Sequence, residues 1–245
     1  MKFAFKSDRG IIRDTNEDYC NIVTGYPDVP LSFVIADGMG GHNSGEVASK
    51  MAVDIVSKFI VDYPESFKDE KIITDSITTA MLNANEKIFY DASEQESNHG
   101  MGTTLIVAVI YEDKLFLGHV GDSSAFLIRE NEIEKLTTDH TYIQELIKNG
   151  TITHEEAVNH PKRNVLTRAI GCEQNITIDS YVYSIRKNDV ILLCTDGLTN
   201  MVNENEIKDT INNNQDAEKI CSTLVEIANS RGGDDNVTVM IIKND

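Results

Sequence analysis

The stretch that most limits what this chain can build runs from Leu31 to His42 and reads Leu-Ser-Phe-Val-Ile-Ala-Asp-Gly-Met-Gly-Gly-His. A run of apolar and β-forming residues ends in a carboxylate and three glycines, and an amphipathic pattern begins at Ser44. The order is strand, tight loop, helix. Glycine reaches backbone angles closed to other residues, so main-chain carbonyls or amides in such a loop can come close to a ligand. A phosphate cradle and a cation site both suit it. The dinucleotide fingerprint would need glycine where Asn43 stands, and Gly-x-x-x-x-Gly-Lys-Ser/Thr occurs nowhere. Asp37 would also face a bound phosphate directly, which is tolerable only with a cation between them. On this loop alone, a plain turn with Asp37 as a solvated cap remains an equal reading.

The rest of the chain reads as packing elements punctuated by similar junctions. Residues 3–5 and 19–24 have short-strand character, with the polar stretch Arg13-Asp14-Thr15-Asn16-Glu17-Asp18 between them. A helix is predicted from Ser44 to about Asp62, with Val47, Met51, Ile55 and Phe59 on one stripe and Ala48, Ala52, Val56 and Ile60 beside it. A second is predicted over about 74–92. The period then changes to strands over Thr103–Ile110, Lys114–Val120 and Ala125–Arg129, whose short connections imply antiparallel neighbours. Residues 136–163 show short helices and polar loops, with a candidate mobile flap at about 141–163. An apolar strand over Asp189–Cys194, a helix over about 216–229 and a last strand over Val237–Ile242 complete a single domain, 1–245, with no repeat.

Asp37, Asp122, Asp196 and Asp235 each lie at or next to a predicted strand end, with glycine close by. Sheets bring such ends together. Two bare carboxylates about 4 Å apart repel by roughly 4 kcal/mol at an effective dielectric of about 20, so a convergent cluster needs cations. All-oxygen ligands without Cys or paired His spacing favour Mg²⁺ or Mn²⁺ over zinc. Net charge points elsewhere than nucleic acid: at −18, with 22 basic against 40 acidic residues, no basic cluster exists to displace counterions. The opening Met1-Lys2-Phe3-Ala4-Phe5-Lys6 lacks a signal peptide's apolar region, and no apolar run spans a bilayer, so a cytoplasmic protein without membrane contact is expected. Cys20, Cys172, Cys194 and Cys221 are scattered and expected as buried, reduced thiols.

In order along the chain stand Arg13-x-x-Asn16-Glu17-Asp18, Asp37 to His42, Gly102-Thr103-Thr104 and Gly121-Asp122-Ser123, then Thr138-Asp139-His140 and Leu166-Thr167-Arg168-Ala169-Ile170-Gly171, and finally Asp196-Gly197-Leu198 and Gly232-Gly233-x-Asp235-Asn236. This ordered set, covering nearly the whole chain, resembles the metal-dependent protein phosphatases of the type 2C (PPM) family, within them the bacterial Ser/Thr phosphatases. The resemblance implies an α+β fold, a four-layer α-β-β-α sandwich of two packed antiparallel sheets flanked by helices. It implies hydrolysis of phosphoserine and phosphothreonine by direct attack of a metal-bridging water, in a monomer that opposes a cognate Ser/Thr kinase.

By the same likeness Asp37 bridges two tightly bound Mn²⁺ or Mg²⁺ ions, the Gly38 carbonyl binds one, and Asp196 and Asp235 bind the other. Glu17 and Asp18 would hold metal-bound waters, Asp122 a third, weaker ion shared with Asp196, and Arg13 the substrate phosphate. Some members carry a histidine two residues after the bridging aspartate; Met39 stands there, which leaves His42 or a metal-bound water as general acid. Ser124 replaces the arginine that many members have after Gly-Asp-Ser. A thiolate phosphatase would need Cys-x5-Arg, which none of the four cysteines begins. Two alternatives share the pattern: a catalytically silent phosphoprotein-binding regulator, and a hydrolase of small phosphate esters.

Overall fold

Apolar runs buried on both faces need a covering layer on each side, and alternation along the strands decides which side chain goes to which layer. In the computed structural model, which describes residues 1–40, 44–158 and 160–245, the strands are β1 (Lys2–Asp8), β2 (Asp18–Val23), β3 (Ser32–Met39), β4 (Gly102–Thr103), β5 (Leu105–Tyr111), β6 (Lys114–Val120), β7 (Ser124–Arg129), β8 (Glu132–Lys135), β9 (Asp179–Ser184), β10 (Val190–Cys194) and β11 (Val237–Lys243). The helices are α1 (Gly45–Asp62), α2 (Glu70–Glu94), α3 (Tyr142–Lys148), α4 (His154–Val158), α5 (Asp196–Thr199), α6 (Glu204–Asn212) and α7 (Ala217–Ser230). One sheet is ordered β1-β11-β10-β7-β8 and the other β2-β3-β5-β6-β9, with β4 added to β3. All their pairings are antiparallel.

The period of two is visible in what each strand packs against. On β3, Phe33 and Ile35 enter the core between the sheets, while Val34 and Ala36 join the layer under α1 and α2. On β10, Ile191 and Leu193 face the other sheet, while Val190, Leu192 and Cys194 meet Leu198, Ile207, Ile220 and Leu224 of the C-terminal helices. Three apolar cores therefore separate four layers, α-β-β-α, as the family resemblance implied. In α1 the fully buried apolar residues are Ala48, Ala52, Val53, Val56 and Ile60. Val47, Met51, Ile55 and Phe59, expected to lead the core stripe, sit at the margin, half-buried.

The structure corrects several sequence expectations. β6 and β7 follow one another but do not pair, since the chain crosses between sheets at Gly121-Asp122-Ser123. β8, β9 and α6 were not expected at all. Only Cys194 and Cys221 are buried; Cys20 is half-buried and Cys172 exposed, all four as free thiols. Among the described residues no helix is long and apolar enough to cross a membrane.

The crossing at Gly121–Ser123 lies at the same end of the sandwich as the β1–β2 crossing, which carries Arg13 and Glu17. β3 ends there with Asp37, β10 hands over to Asp196, and β11 starts just after Asp235. Topology thus gathers onto one end six of the seven proposed metal-site residues, with Gly38 beside Asp37.

Candidate functional site

Strand register makes the first pair of charges unavoidable. Asp18 of β2 stands opposite Asp37 of β3, an arrangement of like charges that destabilises a sheet unless something offsets it. Asp18 is 6% exposed, and its Oδ2 accepts from the hydroxyls of Thr195 at 2.9 Å and Thr238 at 2.7 Å. Its Oδ1 is buried without a hydrogen-bond partner among the described residues. Both threonines belong to the opposite sheet or its edge, so Asp18 joins the two sheets at this end.

Asp37 is held from its backbone: its N–H donates to Thr104 Oγ1 at 2.9 Å, and its carbonyl accepts from Thr103 Oγ1 at 2.8 Å and from the Thr104 N–H at 2.9 Å. Gly38 follows because nothing larger fits. A Cβ there would lie 2.1 Å from the Gly45 carbonyl oxygen and 2.7 Å from that of Glu17. The loop and the start of α1 can approach only over a glycine.

These residues wall a cleft of about 260 Å³, lined by Arg13, Glu17, Asp37, Gly38, Asp122, Asp196 and Asp235, with Thr104, Asn164 and Leu166 among the rest. Asp18 lies behind the wall rather than on it. Arg13 reaches across to Asp235, Nη2 donating to Oδ2 at 2.8 Å and Nε to the Asp234 carbonyl at 3.3 Å. Asn200 donates to Asp196 Oδ2 at 3.0 Å. His42 lies outside the described residues.

Burial and mutual repulsion set the electrostatics. Burial pushes the Asp37 carboxyl well above the usual carboxylate range, and Asp18, Asp196, Asp122 and Asp235 each push it further. Asp18 rises to about 7, through burial and the charges of Asp196 and Asp235, against the opposing effect of the two threonine hydroxyls. Asp122 rises to about 7 through burial, Asp196 and Asp139, and Asp196 to about 6 through burial and Asp235. Glu17 is raised mainly by burial. Without cations the cluster holds protons that carboxylates ordinarily shed.

The donor set fits a hard divalent cation: carboxylate and carbonyl oxygens, an orphaned buried Oδ1 on Asp18, and repulsion awaiting an opposite charge. Among the described residues no three His, Cys, Asp or Glu side chains converge tightly enough to hold an ion by themselves. A Mg²⁺-type ion keeps several waters and needs only one or two carboxylates directly, so the spread ring suits it. Of the predicted site residues, Arg13, Glu17, Asp37, Gly38, Asp122, Asp196 and Asp235 meet at one cleft, with Asp18 behind. Sequence reasoning missed Thr195 and Thr238, which fasten Asp18, as well as Thr104, Asn164 and Asn200. Thr104 stood in a matched stretch and Thr195 just before one, but a threonine at a strand end has no signal separating a support from a β-former.

The sequence model of the protein phosphatase 2C family matches residues 13–237. A serine/threonine phosphatase, stp, of Listeria monocytogenes is 37% identical over 245 residues, covering 100% of this chain and 96% of that protein. Among solved structures, the serine/threonine phosphatase Stp1 from Staphylococcus aureus superposes with a TM-score of 0.93 at 32% identity, over 100% of this chain and 94% of that one. The catalytic domain of the serine threonine protein phosphatase PstP, in complex with 2 manganese ions, does so with a TM-score of 0.84 at 31% identity, over 98% of this chain and 96% of that one. With sequence and fold matched from end to end around the carboxylate ring, the chain belongs to the protein phosphatase 2C family of metal-dependent protein phosphatases and is an enzyme of its bacterial branch.

Proposed function

We propose that this enzyme hydrolyses phosphoserine and phosphothreonine in proteins at the cleft around Asp37, by direct attack of water and without a phosphoenzyme. The observation that carries the reading is the ring of aspartates crowding Asp37, with Arg13 as the cation on the cleft wall. Asp37, the Gly38 carbonyl, Asp196 and Asp235 would hold a pair of Mn²⁺ or Mg²⁺ ions. Asp122 would hold a third, weaker ion together with Asp196. When bound, such a pair supplies the Lewis acidity that makes water a nucleophile near neutral pH and neutralises phosphoryl oxygens.

The chain's own residues do the positioning. Thr103 and Thr104 fix the backbone at Asp37, and Thr195 and Thr238 fix Asp18, so that Asp18 and Glu17 orient water at the site. Arg13 presents a planar fork of donors at the cleft. It now donates to Asp235, and two phosphate oxygens offer that fork the same geometry. His42 is the candidate proton donor to the leaving alkoxide. Relatives named serine/threonine phosphatases support the substrate class. A cognate Ser/Thr kinase as counterpart, action as a monomer and a cytoplasmic location belong to the same reading.

The test is hydrolysis of phosphoserine, phosphothreonine and phosphotyrosine peptides with Mn²⁺, Mg²⁺ or chelator. Activity should vanish with chelator and return with either ion. Asp37→Asn should lose more than the roughly 10–100-fold typical of removing a group that only orients a ligand. Near-normal turnover of that variant at saturating metal would overturn the two-ion assignment. Turnover of small esters with no action on any phosphopeptide would move the enzyme to the metabolite class.

A further inference from the structure

Two matched stretches, Thr138 to His140 and Leu166 to Gly171, contribute only Leu166 to the cleft wall. They meet behind it. His140, 6% exposed, grips the residue before Asp122 from both sides. The Gly121 N–H donates to His140 Nδ1 at 3.0 Å, and the His140 N–H donates to the Gly121 carbonyl at 2.9 Å. Because Nδ1 accepts, the ring proton sits on Nε2, which lies 3.2 Å from Asp179 Oδ2 and 3.1 Å from Arg168 Nη1. Arg168 Nη1 donates to the other oxygen of that carboxylate at 2.5 Å and to the Thr177 carbonyl at 3.2 Å.

Gly121 needs such a grip. It sits at φ +107°, and a Cβ there would lie 2.5 Å from Thr104 Cγ2, so the turn can carry no side chain of its own at this point. On the far side of Asp122, Ser123 is pinned by Thr104 Oγ1 at 2.7 Å and by His119 Nε2 at 3.0 Å from its carbonyl. His140 alone among these supports also forms the base of the segment 142–165. The Thr167 N–H donates to the His140 carbonyl at 2.8 Å, and the Tyr142 N–H to the Val165 carbonyl at 2.8 Å, so the chain leaves and re-enters the body beside this histidine.

We propose that His140 is a positioning residue for Asp122: oriented by Asp179 and Arg168, it holds the Gly121 peptide, sets where the Asp122 carboxylate points, and ties that direction to the stem of the flap. The inference rests on the reading of Asp122 as ligand of a weakly bound third ion. A group that only orients a ligand is worth about 10–100-fold in metal affinity, which is the scale expected here.

Calorimetric titration of the whole enzyme with Mn²⁺ tests it, alongside the melting temperature in excess Mn²⁺. Asp122→Ala should lose the weak binding event and keep the tighter ones. His140→Ala should weaken the same event about 10-fold or more and leave the tight events unchanged. His140→Asn, which places an amide oxygen where Nδ1 stood, should recover most of the loss. The double variant His140→Ala/Asp122→Ala should be no worse in kcat on a small aryl phosphate than Asp122→Ala alone, since both act through one carboxylate. If His140→Ala does not fold, Asp179→Asn makes the comparison, because its amide N–H must oppose either Arg168 or His140. Loss of the weak event in Asp122→Ala but not in His140→Ala or Asp179→Asn would overturn the proposal, as would no recovery in His140→Asn. Retention of every event in Asp122→Ala is a different pattern: the ligand reading of Asp122 falls first, and the proposal with it.

Discussion

Asp18→Asn isolates the electrostatic load of the carboxylate ring. In the metal-free protein Asp18 is raised from 3.8 to about 7, so the folded state holds a proton that the unfolded state releases near pH 4. About 3 units at 1.36 kcal/mol each gives about 4 kcal/mol of lost stability once the pH exceeds about 7. Sharing of protons with Asp37 and Asp196 lowers this to roughly 2–4 kcal/mol. Asparagine keeps an oxygen for the Thr195 and Thr238 hydroxyls but carries no charge. In chelator at pH 7.5 the variant should therefore be more stable than wild type, by about 4–16 °C in Tm for a chain of this size. The sign follows from the raised pKa: wild-type stability falls as pH rises from about 4 to about 7, and the two proteins converge below about pH 4. Excess Mn²⁺ should reverse the order, because binding to the native state stabilises wild type more. Thermal melts across pH 4–8, with chelator and with Mn²⁺, read all of this. A variant less stable than wild type in chelator at pH 7.5, or equal pH slopes for both, would refute the reasoning.

Arg13→Ala should lower kcat/KM on a phosphopeptide about 10–100-fold, the worth of a charge-assisted forked contact; an unchanged value would return Arg13 to the role of a partner for Asp235 alone. Shortening the segment 143–162, with Asn164 and Leu166 kept, should change phosphopeptide preference more than turnover of a small aryl phosphate. Equal losses on both would mean that the segment supports the cleft instead.

Where each layer's core comes from was legible in the apolar runs, because strands such as Ser32–Met39 and Val190–Cys194 have few alternatives once both faces must be covered. What escaped notice was chemistry without an apolar signal. β9 exposes Ser180, Val182 and Ser184 and only half-buries Tyr181 and Tyr183, so its run reads as solvated chain; pairing with β6 makes it a strand. α6 was missed although the sequence carries both a reciprocal capping pair, Asn203 with Glu206, and the apolar Ile207 and Ile211 that it buries. The acidic members of the site were readable because carboxylates beside glycine at strand ends are unusual. Its hydroxyl supports were not, since their role depends on which strands from different sheets meet at one end.

Asp18 belongs to one sheet and the threonines that hold it stand on the other, while Asp37 faces Asp196 and Asp235 across the same gap. Packed sheets lie about 10 Å apart, a distance fixed by the side chains between them. The carboxylate ring is therefore a gauge of that gap. Residues such as Phe33, Leu117 and Met240, which touch no ion and carry no charge, set its reading. A methylene gained or lost among them would shift one half of the ligand set against the other, so inheritance of metal affinity in this enzyme is written partly in its hydrocarbon.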